Sequence, residues 1–132
     1  MKRIYDWDAK FCLRNYTAAD LLALKGVRKL TQTTANSEEE AAAAAAAGID
    51  LIMGNAVNAE AVRCGAPNHF YTAAIPMPDH PTEKDVLEAA FLAMKRGADS
   101  VYTARGPHVV ELLAREQIPV MCHLGLGHEG AH

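Results

Sequence analysis

The sequence is poor in cysteine, has no excess of basic charge and contains no long apolar run. Its three cysteines are widely spaced among 132 residues and include no Cys-x-x-Cys pair, so neither a disulfide framework nor a thiolate zinc site is indicated. Thirteen Lys and Arg residues against 16 Asp and Glu give a net charge of −3, which disfavours binding to nucleic-acid backbones or anionic lipid. No apolar run reaches the ~18 residues that span a bilayer, and acids occupy the segment where a signal peptide would be apolar. We therefore predict a cytoplasmic protein with reduced cysteines and with no nucleic-acid or membrane partner.

The sequence does contain an alternation of strand and helix patterns in a chain the length of one domain. Half of its residues are apolar, which is enough for a core. Residues 1–16 follow no usable period and are interpreted as an N-terminal arm, and a short helix follows at 17–26. Strand and helix patterns then alternate strictly, at 29–34, 37–47, 49–53, 59–63, 69–75, 82–96, 98–103, 108–116 and 118–123. This order predicts an α/β fold in which right-handed βαβ units build a parallel sheet of about five strands.

The ends of the predicted strands are the place to look for a site, because ligands of such folds bind at the carboxyl edge of the sheet. Several side chains at these ends are neutral and polar. They are Thr33, Thr34, Asn36, Asn55, Thr72 and Thr103, and the strand ends also include Ala73 and Ala74, 103–106 and 122–126. A hydrogen-bonding floor of this kind suits a small polar ligand better than a bare cation.

Three stretches carry a family resemblance when they are taken in chain order. They are Arg-x-Gly-Ala-Pro-Asn at 63–68, the Met-Lys-Arg-Gly-Ala-Asp ending of the helix pattern at 94–99, and Pro-Val-Met-Cys-His-Leu-Gly-Leu at 119–126. Together they resemble ketopantoate hydroxymethyltransferase. The resemblance implies a (β/α)8 barrel of the phosphoenolpyruvate and pyruvate-like superfamily. It also implies transfer of a hydroxymethyl group from methylenetetrahydrofolate to 2-oxoisovalerate in pantothenate biosynthesis, with magnesium holding the 2-oxo acid.

The residues that would hold that magnesium differ from the pattern of the family. The resemblance implies aspartates at the ends of the second and third strands and a glutamate at the end of the fourth. The corresponding positions here carry Asn55, Ala74 and Ala104. Because a hard dication prefers oxygen ligands that are largely anionic, the sequence argues against magnesium binding in the manner of the family, and we predict no metal site.

The length of the chain also departs from a complete barrel, which usually takes ~250 residues. Five strands cannot close an eight-stranded barrel, and the glutamate that the resemblance implies as the catalytic base lies beyond the fifth strand. We therefore predict that residues 1–132 form the N-terminal part of a (β/α)8 barrel. The open edge of the sheet would then be covered by further residues of a longer polypeptide or by a partner copy.

Two residues are the main chemical candidates. His123 keeps its place in the strand-end motif of the family and is the catalytic candidate, as a group that polarises a carbonyl or exchanges a proton. The alternative is a structural histidine that is merely hydrogen-bonded. Arg105 follows the fourth strand and can hold a carboxylate through two parallel hydrogen bonds, unless it is an ordinary surface arginine.

Three further residues are predicted to bind substrate at the same edge. Asn55 and Thr103 would supply hydrogen bonds to the ligand. His108 lies in the first turn of a helix whose free N–H groups can receive an anion, although the glycine before it can equally serve only a tight turn.

The leading functional hypothesis is a ketopantoate hydroxymethyltransferase-like protein that acts on or binds a small 2-oxo acid, as a homo-oligomer. One alternative is a noncatalytic, degenerate barrel with a binding or assembly role. Another is a lyase or mutase of the phosphoenolpyruvate mutase and isocitrate lyase group. That group also relies on magnesium and acidic ligands, so the same missing acids count against it.

Overall fold

A computed structural model describes residues 1–124 of the chain, and its secondary structure alternates as the sequence predicts. The strands are β1 (Lys2–Tyr5), β2 (Phe11–Arg14), β3 (Gln32–Thr34), β4 (Leu51–Asn55), β5 (Phe70–Ala74), β6 (Ser100–Thr103) and β7 (Val120–Cys122). The helices are α1 (Ala18–Ala23), α2 (Glu38–Ala46), α3 (Ala59–Gly65), α4 (Glu83–Lys95) and α5 (Pro107–Arg115). Short 3₁₀ turns, Ala56–Asn58 and Met77–Asp79, follow β4 and β5.

The main sheet has five parallel strands in the order β3-β4-β5-β6-β7, which is also their order along the chain. A helix connects each strand to the next, so the predicted βαβ units and parallel sheet are confirmed. Within residues 1–124, β3 and β7 each pair on one side only. The barrel is therefore not closed, as the strand count predicts.

Local sequence explains where the helices begin. Thr82 caps α4, because its hydroxyl accepts from the backbone N–H of Asp85 while the Asp85 carboxylate accepts from the N–H of Thr82. Ser37 caps α2 through one hydrogen bond, in which its hydroxyl accepts from the backbone N–H of Glu40. Three glutamates and then alanines favour the helix that follows.

One face of the sheet carries the apolar core. Ile52, Tyr71, Ala73 and Val101 lie in a single buried cluster with the inward side chains of the helices, among them Val86 of α4. Because side chains alternate along a strand, the residues between them point to the opposite face of the sheet. That face carries Thr72, Ser100, Tyr102 and Met121, among others.

The core is alanine-rich, which lets its layers approach closely. Gly54 of β4 lies against the backbone of the loop after β3, and a Cβ at Gly54 would lie 2.1 Å from the carbonyl oxygen of Ala35. Only glycine fits this close approach, which holds the end of β4 next to the end of β3.

The N-terminal arm is a β-hairpin, which its sequence pattern does not reveal. β1 and β2 pair antiparallel, from Lys2 opposite Arg14 to Tyr5 opposite Phe11. The hairpin is joined to the amino edge of the main sheet, since the backbone N–H of Asn15 donates to the carbonyl oxygen of Asn68. The side-chain oxygen of Asn15 accepts from the backbone N–H of Phe70, the first residue of β5.

Asp99 is the centre of a buried ionic cluster at that amino edge. Its carboxylate accepts from Arg14 Nε at 2.8 Å, from Arg63 Nη2 at 2.8 Å and from the backbone N–H of Tyr71 at 2.9 Å. Arg14 is only 3% exposed, so this pairing offsets the cost of burying its charge. The cluster joins the hairpin, α3, β5 and the loop before β6, at the opposite end of the sheet from the predicted site.

A second acid, Asp50, joins the start of β4 to its neighbours. Its carboxylate accepts from the backbone N–H of Thr31 at 2.9 Å and from the Thr31 hydroxyl at 3.0 Å, and it also contacts Tyr16 and Arg28. The hydrogen bond from the Thr31 backbone lowers the pKa of Asp50 below its ordinary value, because it favours the ionised carboxylate.

Candidate functional site at the carboxyl edge of the sheet

The carboxyl edge brings together the loops that follow the five parallel strands. In-register pairing places Asn55 beside Ala74, Ala74 beside Tyr102 and Thr103 beside Cys122. The predicted strand ends therefore meet along one edge, as the parallel fold requires. Gly125 and Leu126, which belong to the predicted strand-end motif, lie outside the described residues.

Asn55 is held in an asparagine network that joins the first two loops. The side-chain oxygen of Asn36 accepts from the backbone N–H of Asn55 at 2.7 Å and from the Asn58 amide at 3.2 Å. The side-chain oxygen of Asn55 accepts from the backbone N–H of Val57 at 3.1 Å and so begins the 3₁₀ turn. Within residues 1–124, the Asn55 amide nitrogen is the part of this side chain that remains to donate to a ligand.

Tyr71 fixes the same strand end from the core side. Its hydroxyl lies 3.2 Å from the carbonyl oxygens of both Gly54 and Asn55. Burial raises the pKa of Tyr71 to about 12, so the phenol is neutral and donates to these carbonyls. Tyr71 is therefore a support of the Asn55 backbone rather than a titrating group of the site.

His123 lies just beyond β7 and is paired with Tyr102. The Tyr102 hydroxyl is 2.8 Å from His123 Nδ1, and the backbone N–H of His123 donates to the carbonyl oxygen of Thr103 at 3.1 Å. The backbone hydrogen bond extends the parallel ladder past β7, so both the backbone and the side chain of His123 are held in place. His123 itself is an exposed residue at the edge.

Sequence reasoning missed Tyr102, because the strand register that places it on the face of His123 cannot be seen in the sequence. Tyr102 lies one residue before Thr103 on β6, and alternation puts these two side chains on opposite faces of the sheet. Met121 pairs with Tyr102, and His123 comes two residues after Met121. The register therefore places Tyr102, and not Thr103, on the same face as His123.

Arg105 connects two loops of the edge. Its Nη1 donates to the carbonyl oxygens of Pro81 at 2.9 Å and His80 at 3.3 Å, which joins the loop after β6 to the loop after β5. Its Nε is buried and has no hydrogen-bond partner among residues 1–124. The guanidinium is thus held at the edge, and its Nε–H remains as a donor without a partner among residues 1–124.

Thr103 and His108 lie close to this edge in different environments. Thr103 is 1% exposed, and its hydroxyl accepts from the backbone N–H of Arg105 at 3.1 Å, so it shapes the loop that carries Arg105. His108 lies in the first turn of α5, where its Nε2 is 4.0 Å from Glu83 and its side chain is 59% exposed. The structure brings Tyr102 and His123 together, whereas it places His108 beside a different partner.

The side chains at this edge do not fit a magnesium ion. The positions at which the resemblance implies acidic ligands carry the amide Asn55, whose oxygen already accepts from Val57, and the alanines Ala74 and Ala104. No cluster of three or more His, Cys, Asp or Glu side chains suitable for a metal ion occurs in the described chain. A donor set without carboxylates is unsuited to a hard dication, so we derive no step through a metal.

The fold and the carboxyl edge of the sheet together define the class of protein. Consecutive parallel βα units, with the polar ends of the strands gathered at one edge, are the arrangement of (β/α)-barrel proteins, here seen as an open five-stranded part. No family model matches the chain.

Curated relatives identify the branch of that class. The chain is 36% identical to a 3-methyl-2-oxobutanoate hydroxymethyltransferase of Kosmotoga olearia, in an alignment that covers 77% of this chain and 48% of the relative. It is 33% identical to the protein of the same name from Thermosipho melanesiensis, over 83% of this chain and 51% of the relative. The corresponding protein of Thermotoga neapolitana is also 33% identical, over 80% of this chain and 48% of the relative.

The resemblance predicted from the sequence motifs is confirmed by these relatives. The chain is a divergent relative of the 3-methyl-2-oxobutanoate hydroxymethyltransferases, a name equivalent to ketopantoate hydroxymethyltransferase. It spans about half the length of the curated relatives that it matches. None of the helices in the described part is long and apolar enough for a membrane crossing.

Proposed function

We propose that this chain is a hydroxymethyltransferase-like protein that binds a small 2-oxo acid at the carboxyl edge of its sheet, without a divalent metal. The observation that carries the proposal is the 2.8 Å contact between Tyr102 and His123 at that edge, in a chain related to enzymes named for a 2-oxo acid. A 2-oxo acid offers a carboxylate and a neighbouring carbonyl. It therefore needs one positive group and one or more hydrogen-bond donors.

The residues of the edge divide these two tasks. Arg105 supplies positive charge close to the ends of β5 and β6, and a carboxylate is the natural partner for a guanidinium. His123 and the amide of Asn55 supply hydrogen bonds for the oxo group and for the second carboxylate oxygen. Thr103 contributes through its bond to the Arg105 backbone, and His108 lies at the outer margin, where its side chain is exposed to a ligand.

Hydrogen bonds polarise the oxo group of the ligand and so take the role that a metal ion would have. A donor to the carbonyl oxygen stabilises negative charge that develops there, which is the requirement for activating the adjacent carbon. The residues that stand at the metal-ligand positions of the resemblance, Asn55, Ala74 and Ala104, support this assignment because none carries an anion.

Isothermal calorimetry on the full chain tests the proposal. We expect 3-methyl-2-oxobutanoate to bind in buffer containing EDTA, with an affinity that added Mg²⁺ does not change. 3-Methylbutanoate, which has the same carboxylate and carbon chain but no oxo group, is the matched control ligand and should bind at least several-fold more weakly. Binding that requires Mg²⁺, or equal affinity for the two acids, would contradict the proposal.

A noncatalytic role in assembly is the second candidate function. It is favoured by the open sheet, since β3 and β7 each leave one side unpaired within the described chain. In that case the oxo acid would not bind, and the open edges of the sheet would instead be covered by a partner. The calorimetry above distinguishes the two functions.

A further inference from the structure

The contact between Tyr102 and His123 determines more than the position of the imidazole ring. A neutral imidazole carries its proton on one of two nitrogens, and the hydrogen bond made by the first nitrogen decides which one. At His123 the nitrogen engaged by the protein is Nδ1, 2.8 Å from the Tyr102 hydroxyl. Nε2 is therefore the ring nitrogen left for a ligand.

We propose that Tyr102 is a positioning residue that holds neutral His123 with its proton on Nε2, so that His123 serves the edge as a hydrogen-bond donor and not as a base. This inference rests on the proposed function for the identity of the ligand, and on the contact alone for the state of the ring. It adds Tyr102 to the residues of the site and selects one of the two roles open to His123.

Nε2 of His123 carries a hydrogen in both charge states of the ring. When the Tyr102 hydroxyl donates its hydrogen to Nδ1 of a neutral imidazole, as we propose, the ring proton is on Nε2. When the ring is protonated, Nδ1–H donates to the phenol oxygen in return, and Nε2 keeps its hydrogen. Nε2 therefore presents N–H in both states, and a ligand at Nε2 meets a donor.

The geometry makes this pairing a fixed feature of the edge. The hydrogen bond from the His123 backbone to the Thr103 carbonyl holds the backbone of His123 against β6, and the two side chains share one face of the sheet. The two rings are 6.4 Å apart between centroids and inclined at 61°, so they meet edge to face rather than stacking. Tyr102 itself lies within a strand and is half-buried, which limits its movement.

The acceptor chemistry of a 2-oxo acid matches such a donor. Both the oxo oxygen and the carboxylate oxygens accept hydrogen bonds and donate none. A histidine that presented the lone pair of Nε2 instead would repel these oxygens. The class of ligand that fits His123 in this state is therefore an oxo acid or another acceptor-only anion.

Nitrogen-15 NMR of the ¹⁵N-histidine-labelled full chain reads the tautomer directly, at a pH where the rings are neutral. The His123→Asn variant identifies the His123 signals among the six histidines. We expect Nδ1 of His123 to show the shift of an unprotonated ring nitrogen and Nε2 that of a protonated one. A protonated Nδ1 in the unmodified protein would overturn the inference, and the variant serves only to assign the signals.

The Tyr102→Phe variant removes the phenol and keeps the ring. The ratio of the Nε2–H to the Nδ1–H form at His123 should fall roughly fivefold, which is what one neutral hydrogen bond is worth. Tyr5→Phe, at an exposed tyrosine of the hairpin, is the matched control and should leave the ratio unchanged. An unchanged ratio in Tyr102→Phe would refute the positioning role.

Affinity for 3-methyl-2-oxobutanoate separates this inference from the proposed function. If the oxo acid binds, Tyr102→Phe should weaken it several-fold while His123→Asn weakens it at least as much. If the oxo acid does not bind but the tautomer ratio responds as expected, the proposed function is wrong and the assignment of the ring state is upheld.

Discussion

At the scale of single residues, side chains of the same type have different surroundings in the folded chain. Arg105 and Arg115 are ten positions apart, yet Arg105 holds two loop carbonyls at the edge while Arg115 makes an exposed ion pair with Glu111. The difference lies in burial, because a charge removed from water interacts more strongly with what surrounds it.

Arg105→Ala should weaken binding of 3-methyl-2-oxobutanoate about tenfold or more, since a hydrogen bond to a charged group contributes ~1.5–3 kcal/mol. Calorimetry at low and high salt gives the readout. Affinity of the unmodified chain should fall with ionic strength, and that of the variant should fall less, because the variant lacks the attracting charge. Arg115→Ala, which also removes one positive charge, is the matched control. If both variants bound 3-methyl-2-oxobutanoate with equal affinity, Arg105 would not be part of the site.

Asp99→Asn should lower the free energy of unfolding by about 3 kcal/mol, because it leaves two arginines near the amino edge without the carboxylate that pairs them. Urea denaturation followed by circular dichroism measures the change. Glu111→Gln breaks an exposed pair four residues apart on α5 and should cost less than ~0.5 kcal/mol. If the two variants were equally stable, the buried cluster would not stabilise the fold more than an exposed ion pair does.

At the scale of elements, the structure is held by residues at the starts of strands while its candidate chemistry lies at their ends. Asp50 joins the beginning of β4 to the segment that precedes β3. Asp99, just before β6, joins that strand to the beginning of β5 through the backbone N–H of Tyr71. Both are acids whose oxygens receive backbone N–H groups that would otherwise be unpaired.

Asp50 gives a pH dependence whose sign follows from its lowered pKa. A carboxyl whose folded pKa lies below its unfolded value, about 3.9, adds stability above that value and loses it as the pH falls through the folded pKa. The difference in unfolding free energy between the unmodified chain and Asp50→Asn should therefore be largest near pH 6 and shrink below about pH 4. Chemical denaturation across this range measures it.

The control for that experiment is Asp8→Asn, which removes one negative charge from the exposed turn of the hairpin. Its difference from the unmodified chain should vary much less over the same pH range. A constant difference between the unmodified chain and Asp50→Asn would show that Asp50 does not contribute through its ionised form.

At the scale of the whole molecule, the sheet is covered by helices on one face and is open at both edges in the described residues. An open parallel edge exposes backbone donors and acceptors that favour pairing with another chain. We therefore expect the protein to be larger than its 14.2 kDa monomer in solution. Sedimentation velocity decides this, and a folded monomer at working concentration would contradict it.

Met121→Lys tests which surface makes that contact. Met121 lies on the face away from the core, beside Tyr102 at the β7 edge, and a charge there should shift the protein toward monomer. Leu22→Lys, on the exposed side of α1, is the matched control and should leave the sedimentation coefficient unchanged. Identical behaviour of both variants would show that the β7 edge is not the contact surface.

The sequence by itself determined the order of the elements, the parallel sheet, the caps at Ser37 and Thr82, and the family resemblance, because each of these depends on residues close together in the chain. Only the tertiary structure decided that residues 1–14 form a hairpin, that Asp99 pairs with Arg14 across 85 positions, and that Tyr102 rather than Thr103 shares a face with His123. Strand register selects such partners. Because a shift of one residue in register moves every side chain of a strand to the other face, local patterns could place these residues at the edge but could not say which of them meet.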